Sequence, residues 1–216
     1  MAFFDMITDL LSGLLVSFEI FVFTLLIAIP LGWLVALGRM SSNRLLSGAL
    51  RIFISVVRGT PLMLQIIFVY FAPYMIFHLP LAFYPRILAT VLAFGLNYAA
   101  YFGEIFRGGI MSLDPGQTEA AMALGLNSRK RFFRIILPQA LKRVIPAVGN
   151  EVITLVKDTS LAFTIAVTEM FTIAKQLSSA NTTMAPLIAA GVFYYLFNYL
   201  VAGAMERLEK KFAYYN

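Results

Sequence analysis

Residues 119–140 read EAAMALGLNSRKRFFRIILPQA, the one long polar interval in an otherwise strongly apolar chain. Just upstream, Asp114-Pro115 predicts a helix start, with a carboxylate at the N-cap and proline at the first helical position, where no backbone donor is needed. Thr118 to Leu124 supplies good helix formers, and Gly125 can take the left-handed conformation that ends a helix. Asn127 or Ser128 can cap a second short helix bearing Arg129, Lys130, Arg131 and Arg134. Ala120 and Ala121 have little side-chain bulk, so the first helix can settle its backbone deeply into a partner's groove. The glycine corner then sets how that helix is presented.

The composition around this interval is that of a membrane protein. Of 216 residues, 60% are hydrophobic and only 13% charged, with a mean hydropathy of +0.82. A soluble domain is nearer half apolar and a quarter charged. The pI of about 9.7 does not indicate nucleic acid, because the basic residues lie between apolar runs and form no aromatic-interleaved patch. They read as topology signals and contacts to lipid headgroups. The absence of cysteine excludes disulfides, thiolate metal sites and cysteine nucleophiles. A single histidine, His78, leaves neither a histidine metal site nor a Ser-His triad within one chain. The N-terminal MAFFDMITDL is acidic and lacks a basic n-region, so no cleaved signal peptide is expected.

Apolar runs long enough to cross a bilayer lie near residues 14–37, 52–77, 87–106, 144–171 and 186–205. The expectation is one all-α membrane domain over residues 1–216, with five spans and the polar loop 107–143 between the third and fourth. Arg39, Arg44 and Arg51 occupy the first loop. Seven more bases occupy the long loop, and Arg207, Lys210 and Lys211 the tail, which places thirteen of seventeen basic residues on one side. The opposite side holds Arg86 and Lys175. The positive-inside bias puts the N-terminus outside and the long loop and C-terminus in the cytoplasm. MERLEKK after the last span reads as a short amphipathic interfacial anchor.

Ionisable groups at bilayer depth are costly and therefore candidates for function. In RGTPLMLQ, Arg58 lies at the edge of the second span. Gly59-Thr60-Pro61 interrupts one helix and restarts another, with Thr60 able to cap and Pro61 suited to the first turn. Such a restart offers free N–H groups to an anion. Gln65, seven residues after Arg58, nominally shares its face. The alternative is a proline kink with a snorkelling arginine. Asn97, Tyr101 and Glu104 recur on one stripe of the third span and suit a cationic or amino-group ligand, or else Glu104 pairs with Arg107 or Arg58 to hold helices together. In the fourth span Glu151, Thr154 and Asp158 share a face. Asp158-Thr159-Ser160 favours local unwinding, and Lys157 pairing with Asp158 or Glu151 is the structural alternative. Glu19 and Glu169 read as solvated or pore-mouth acids, and His78 as an external loop residue.

The pattern Glu-Ala-Ala, three residues, Gly, nine residues, Ile-any-Leu-Pro is met by Glu119-Ala120-Ala121, Gly125, Ile135 and Leu137-Pro138. It resembles the cytoplasmic coupling segment of permease subunits of bacterial ABC importers. RGTPLMLQ, YFGEIFRGGIMSLDPGQTEAA and ILPQALKRVIPAVGNEVITLVKDTSL resemble their polar amino acid branch, over about Arg58 to Glu169. The resemblance implies a multi-pass subunit of the bacterial inner membrane that pairs with a second copy or a homologue. It implies two cytoplasmic ATPase subunits holding ATP and magnesium, and an extracytoplasmic solute-binding protein that delivers the amino acid. Glu119, Ala120, Ala121, Gly125 and Arg129 would form the contact with the ATPase. The chain has no GxxxxGK[ST] loop with which to cradle phosphates and needs no cofactor of its own. The acidic excess of Glu104, Glu151 and Asp158 over Arg58 and Lys157 favours a basic amino acid. Competing classes are an ion- or proton-coupled secondary transporter, an intramembrane enzyme, which lacks a convincing nucleophile–base pair, and a purely structural subunit.

Overall fold

A computed structural model describes residues 3–81 and 84–212, and within these every regular element is helical. The order is α1 (Phe3–Arg39), α2 (Arg44–Gly59), α3 (Leu62–Phe77), α4 (Arg86–Met111), α5 (Pro115–Ala123) and α6 (Ser128–Arg131). A π-helical turn (Phe132–Ile136), α7 (Leu137–Asp158), a 3₁₀ segment (Thr159–Ile165), α8 (Met170–Asn181) and α9 (Ala185–Phe212) complete it.

The most buried element is α4, with 67% of its most apolar window inside the protein against 6% for α9. Phe94, Tyr98 and Phe102 recur every four residues on α4 and form the centre of the core with Ile20, Ile66 and Leu155. Helix α1 lies directly against α4. A Cβ added at Gly32 would come within 2.7 Å of the Phe102 Cβ, and one at Gly103 within 2.6 Å of Val35. These two glycines let the backbones approach, as small residues do where lipid supplies no hydrophobic drive between helices.

Three helices, α1, α4 and α9, are long and apolar enough to cross a membrane, and the α2–α3 pair passes only as a broken span bent by 111°. The second run, expected near 52–77, is therefore not one helix. Its break falls at Thr60, whose extended backbone precedes the N-cap Pro61. The fourth run, expected near 144–171, also differs. Its helix starts earlier, at Leu137, and ends at Asp158. The hydroxyls of Thr159, Ser160 and Thr164 then donate to the carbonyls of Val156, Lys157 and Leu161, three residues back. Such back-bonding competes with the α-helical ladder. The chain leaves the 3₁₀ segment at Ala166 in the left-handed region, with φ 56°.

Glu169 is not a solvated acid. It is fully buried at the N-cap of α8 and accepts from the N–H of Phe171 and of Thr172, both at 2.7 Å, and from the Thr172 hydroxyl at 2.8 Å. Tyr194 on α9 donates to it at 2.9 Å. The tail MERLEKK continues α9 without interruption, and Lys210 pairs with Glu206 at 2.6 Å on its exposed surface. His78 closes α3 in a left-handed conformation.

Candidate functional site

The break between α2 and α3 lies against the middle of α4. The Thr60 hydroxyl does not cap α3. It turns back and donates to the Val56 carbonyl at 2.8 Å, closing α2 instead. No side chain caps the N-terminus of α3, which leaves its leading N–H groups open. Because of the bend, Arg58 and Gln65 do not share a helix face. Gln65 reaches back across the break instead, its amide donating to the Val57 carbonyl (2.8 Å), the Thr60 hydroxyl (2.9 Å) and the Thr60 carbonyl (3.1 Å). Its own oxygen accepts from the buried Asn97 amide at 3.0 Å. The Arg58 guanidinium stacks 4.9 Å above the Tyr101 ring, a favourable cation–π distance.

The far side of the cluster is α7. Tyr98, one residue from Asn97 and absent from the sequence-derived candidates, donates to Asp158 at 2.8 Å. Glu151 is in electrostatic reach of both Arg58 and Asp158. Thr154 is exposed on the same helix, its hydroxyl on the Asn150 carbonyl. Lys157 is exposed and makes no ion pair within 4 Å among the described residues, so the structural pairing with Asp158 or Glu151 is not made.

Glu104 stands apart from this cluster. Arg107 grips it through two nitrogens at 2.7–3.1 Å, and Arg39 on α1 approaches to 3.5 Å, an ionic contact without hydrogen-bond alignment. The partner foreseen on α4, Arg107, is present. Arg39 takes the second place, because α1 ends beside α4 at this level. The sequence stripe of Asn97, Tyr101 and Glu104 thus divides into a polar cluster at the helix break and a helix tie.

In the surface segment, the Asp114 side chain accepts from the Gly116 N–H at 2.8 Å and Pro115 opens α5. Gly125 has φ +72°, its N–H bonds the Met122 carbonyl, and the Leu126 N–H bonds that of Ala121, the paired closure of a Schellman turn. Asn127, not Ser128, caps α6 by accepting from the Lys130 N–H. The two alanines separate. Ala121 is buried within this chain, which corrects the expectation that it offers itself to a partner, whereas Glu119, Ala120 and Leu124 are exposed. Arg129 is exposed beside Lys130 and Arg134. Arg143 on α7 binds the Ser112 carbonyl and hydroxyl, and Trp33 on α1 packs on both Phe106 of α4 and Phe132 of the π turn. The segment is therefore braced to the bundle. Trp33 is part of that brace.

The structure is thus a helical membrane domain with a polar cluster at an interrupted helix and a capped surface helix. Over residues 28–214 the chain matches the family described as binding-protein-dependent transport system inner membrane component, and it belongs to that family. It is 36% identical over 203 residues to the arginine transport system permease protein ArtQ of Bacillus subtilis, covering 94% of this chain and 91% of that one. It is 34% identical over 202 residues to the L-cystine transport system permease protein TcyB of the same organism, covering 93% and 85%. A chain from the crystal structure of an amino acid ABC transporter with histidines superposes with a TM-score of 0.87 at 29% identity, covering 98% of this chain and 99% of that one.

Proposed function

We propose that this chain is the permease of an ATP-binding-cassette importer that moves basic amino acids into the cell by alternating access. The observation that carries the substrate reading is the meeting of opposite charges at the helix break. Arg58 and the open N-terminus of α3 lie on one side, and Asp158 with Glu151 on the other. An α-carboxylate suits the first pair, since helix N-termini present N–H groups and a positive dipole end. An ammonium or guanidinium suits the second, through charge-assisted hydrogen bonds. Thr60, Gln65, Asn97, Tyr101 and Thr154 supply the neutral polar wall. Glu104, already neutralised by two arginines, serves the helix tie rather than the ligand.

Two ATPase subunits, which bind ATP and magnesium, grip the surface segment through Glu119 and Ala120 of α5, Leu124 at its end and Arg129 of α6, while Ala121 and Gly125 hold α5 in place. A second permease copy or homologue completes the pathway, and an extracytoplasmic binding protein delivers substrate. The coupling segment and C-terminus face the cytoplasm and the N-terminus lies outside.

The test is nucleotide hydrolysis by the assembled, membrane-reconstituted complex with its binding protein, over arginine, lysine, histidine, glutamine and cystine. Stimulation by the basic amino acids is expected. Stimulation by cystine or glutamine alone would overturn the substrate reading, and uptake that proceeds without nucleotide would overturn the importer itself. In the same assay Gly125→Val should hydrolyse ATP with uptake lost, because a β-branched residue at this positive φ strains the turn by roughly 1–3 kcal/mol and reorients α5.

A further inference from the structure

We propose that α2 is an in-plane helix that binds anionic phospholipid headgroups through Arg44 and Arg51, on the leaflet that faces the coupling segment. Its orientation follows from its neighbours. Helix α3 runs along α4, joined by the Gln65–Asn97 bond and by Arg86 at the Tyr70 hydroxyl, and α4 is a membrane-length helix. A helix bent 111° from α3 therefore lies close to the membrane plane.

The two ends of α2 confirm the level. At its N-terminal end Ser47 is bonded to Arg39, which contacts Glu104. At its C-terminal end Arg58 stacks on Tyr101. Tyr101 and Glu104 are three residues apart on α4, roughly 4.5 Å along its axis, whereas sixteen helical residues extend about 24 Å. Helix α2 thus crosses the bundle at one depth, the depth of the Arg39–Glu104–Arg107 tie.

Its sequence, RLLSGALRIFISVVRG, has three faces. Ile54 is buried against the bundle. Arg44, Arg51 and Arg58 recur every seven residues, which on a helix is one line drifting by about 20° per repeat, and all three are exposed. Leu45, Ile52 and Val56 form a neighbouring apolar line and are 85%, 67% and 56% exposed. A basic line beside an uncovered apolar line, on a helix lying in the plane, is the pattern of an interfacial helix with its apolar side in the acyl region and its bases at phosphate level. A second copy is a poorer occupant. The helix carries no acid, so an identical face would set arginine against arginine. Arg58 belongs to the candidate substrate cluster, and the claim therefore rests on Arg44 and Arg51.

The chain has no native cysteine, so single spin labels can be placed cleanly in the assembled transporter reconstituted with phosphatidylcholine, with or without phosphatidylglycerol. A label at Ile52→Cys should be open to oxygen and closed to a water-soluble nickel complex. Phosphatidylglycerol retained through purification should fall with R44A/R51A, by roughly 30-fold in affinity, about fivefold for each of the two bases. R44K/R51K should keep most of it, which separates loss of charge from loss of fold. Millimolar inorganic phosphate should leave retention unchanged. A label shielded from both relaxants would show protein covering the face, and one open to nickel would show water. Either result, equal retention by R44A/R51A, or displacement by phosphate overturns the proposal.

Discussion

Two interruptions of the transmembrane helices use opposite chemistry. At the α2–α3 break, proline removes a donor, no side chain caps α3, and the freed carbonyls of Val57 and Thr60 are met by one side chain, Gln65. At the break after α7 charged side chains meet the freed backbone groups. Arg86 donates to the Ala166 carbonyl at 3.1 Å, and Glu169 takes the N–H groups of Phe171 and Thr172 together with hydroxyls from Thr172 and Tyr194. The first break leaves the N-terminus of α3 uncapped, which is what the proposed substrate site uses, while the second holds α8 against α1 and α9.

The largest effect expected from this contrast is at Glu169. Glu169→Ala leaves two buried N–H groups and a phenol without acceptors, and should destabilise the protein by about 3–5 kcal/mol. The check is the thermal melting of the purified complex. Asp158→Asn should do the reverse, leaving melting nearly unchanged while weakening stimulation by basic amino acids roughly 100-fold, as expected when one partner of a charge-assisted bond is removed. Equal effects of the two variants on melting would erase the contrast. Gln65→Leu, which strips the Thr60 and Val57 carbonyls and the Asn97 amide of a partner, should cost about 1–3 kcal/mol in stability and also weaken substrate stimulation. Thr60→Ala is the smallest, about 1 kcal/mol, since the hydroxyl is exposed and Gln65, which it accepts from, keeps the Val57 and Thr60 carbonyls as acceptors.

The surface segment over residues 114–131 was legible residue by residue because its signals are local. Asp114, Pro115, Gly125 and Asn127 act within one turn of themselves, and each occupies a position that sequence rules assign to it, Asn127 resolving the choice with Ser128. The candidate substrate cluster was only partly legible. Helical spacing placed Asn97, Tyr101 and Glu104 together, yet Glu104 went to Arg107 and Arg39, and Tyr98, one residue off the stripe, is the one that meets Asp158. Spacing orders residues around a single helix and is silent about which neighbour arrives at each side. Glu169 shows the same limit, because a lone acid near the end of an apolar run reads as solvated until the elements that donate to it are known.

The sequence by itself determined the class of the chain, the positions of its apolar runs, the polar interval between them and the turn chemistry of that interval. Hydropathy, charge bias and cap residues all act over a few consecutive positions. The tertiary structure alone decided that the second span bends by 111°, that the fourth ends at Asp158, and which carboxylates are spent on holding helices and which remain open. Those outcomes depend on distances between groups far apart in the chain, and a side chain's partner is set by packing rather than by its own neighbours in sequence.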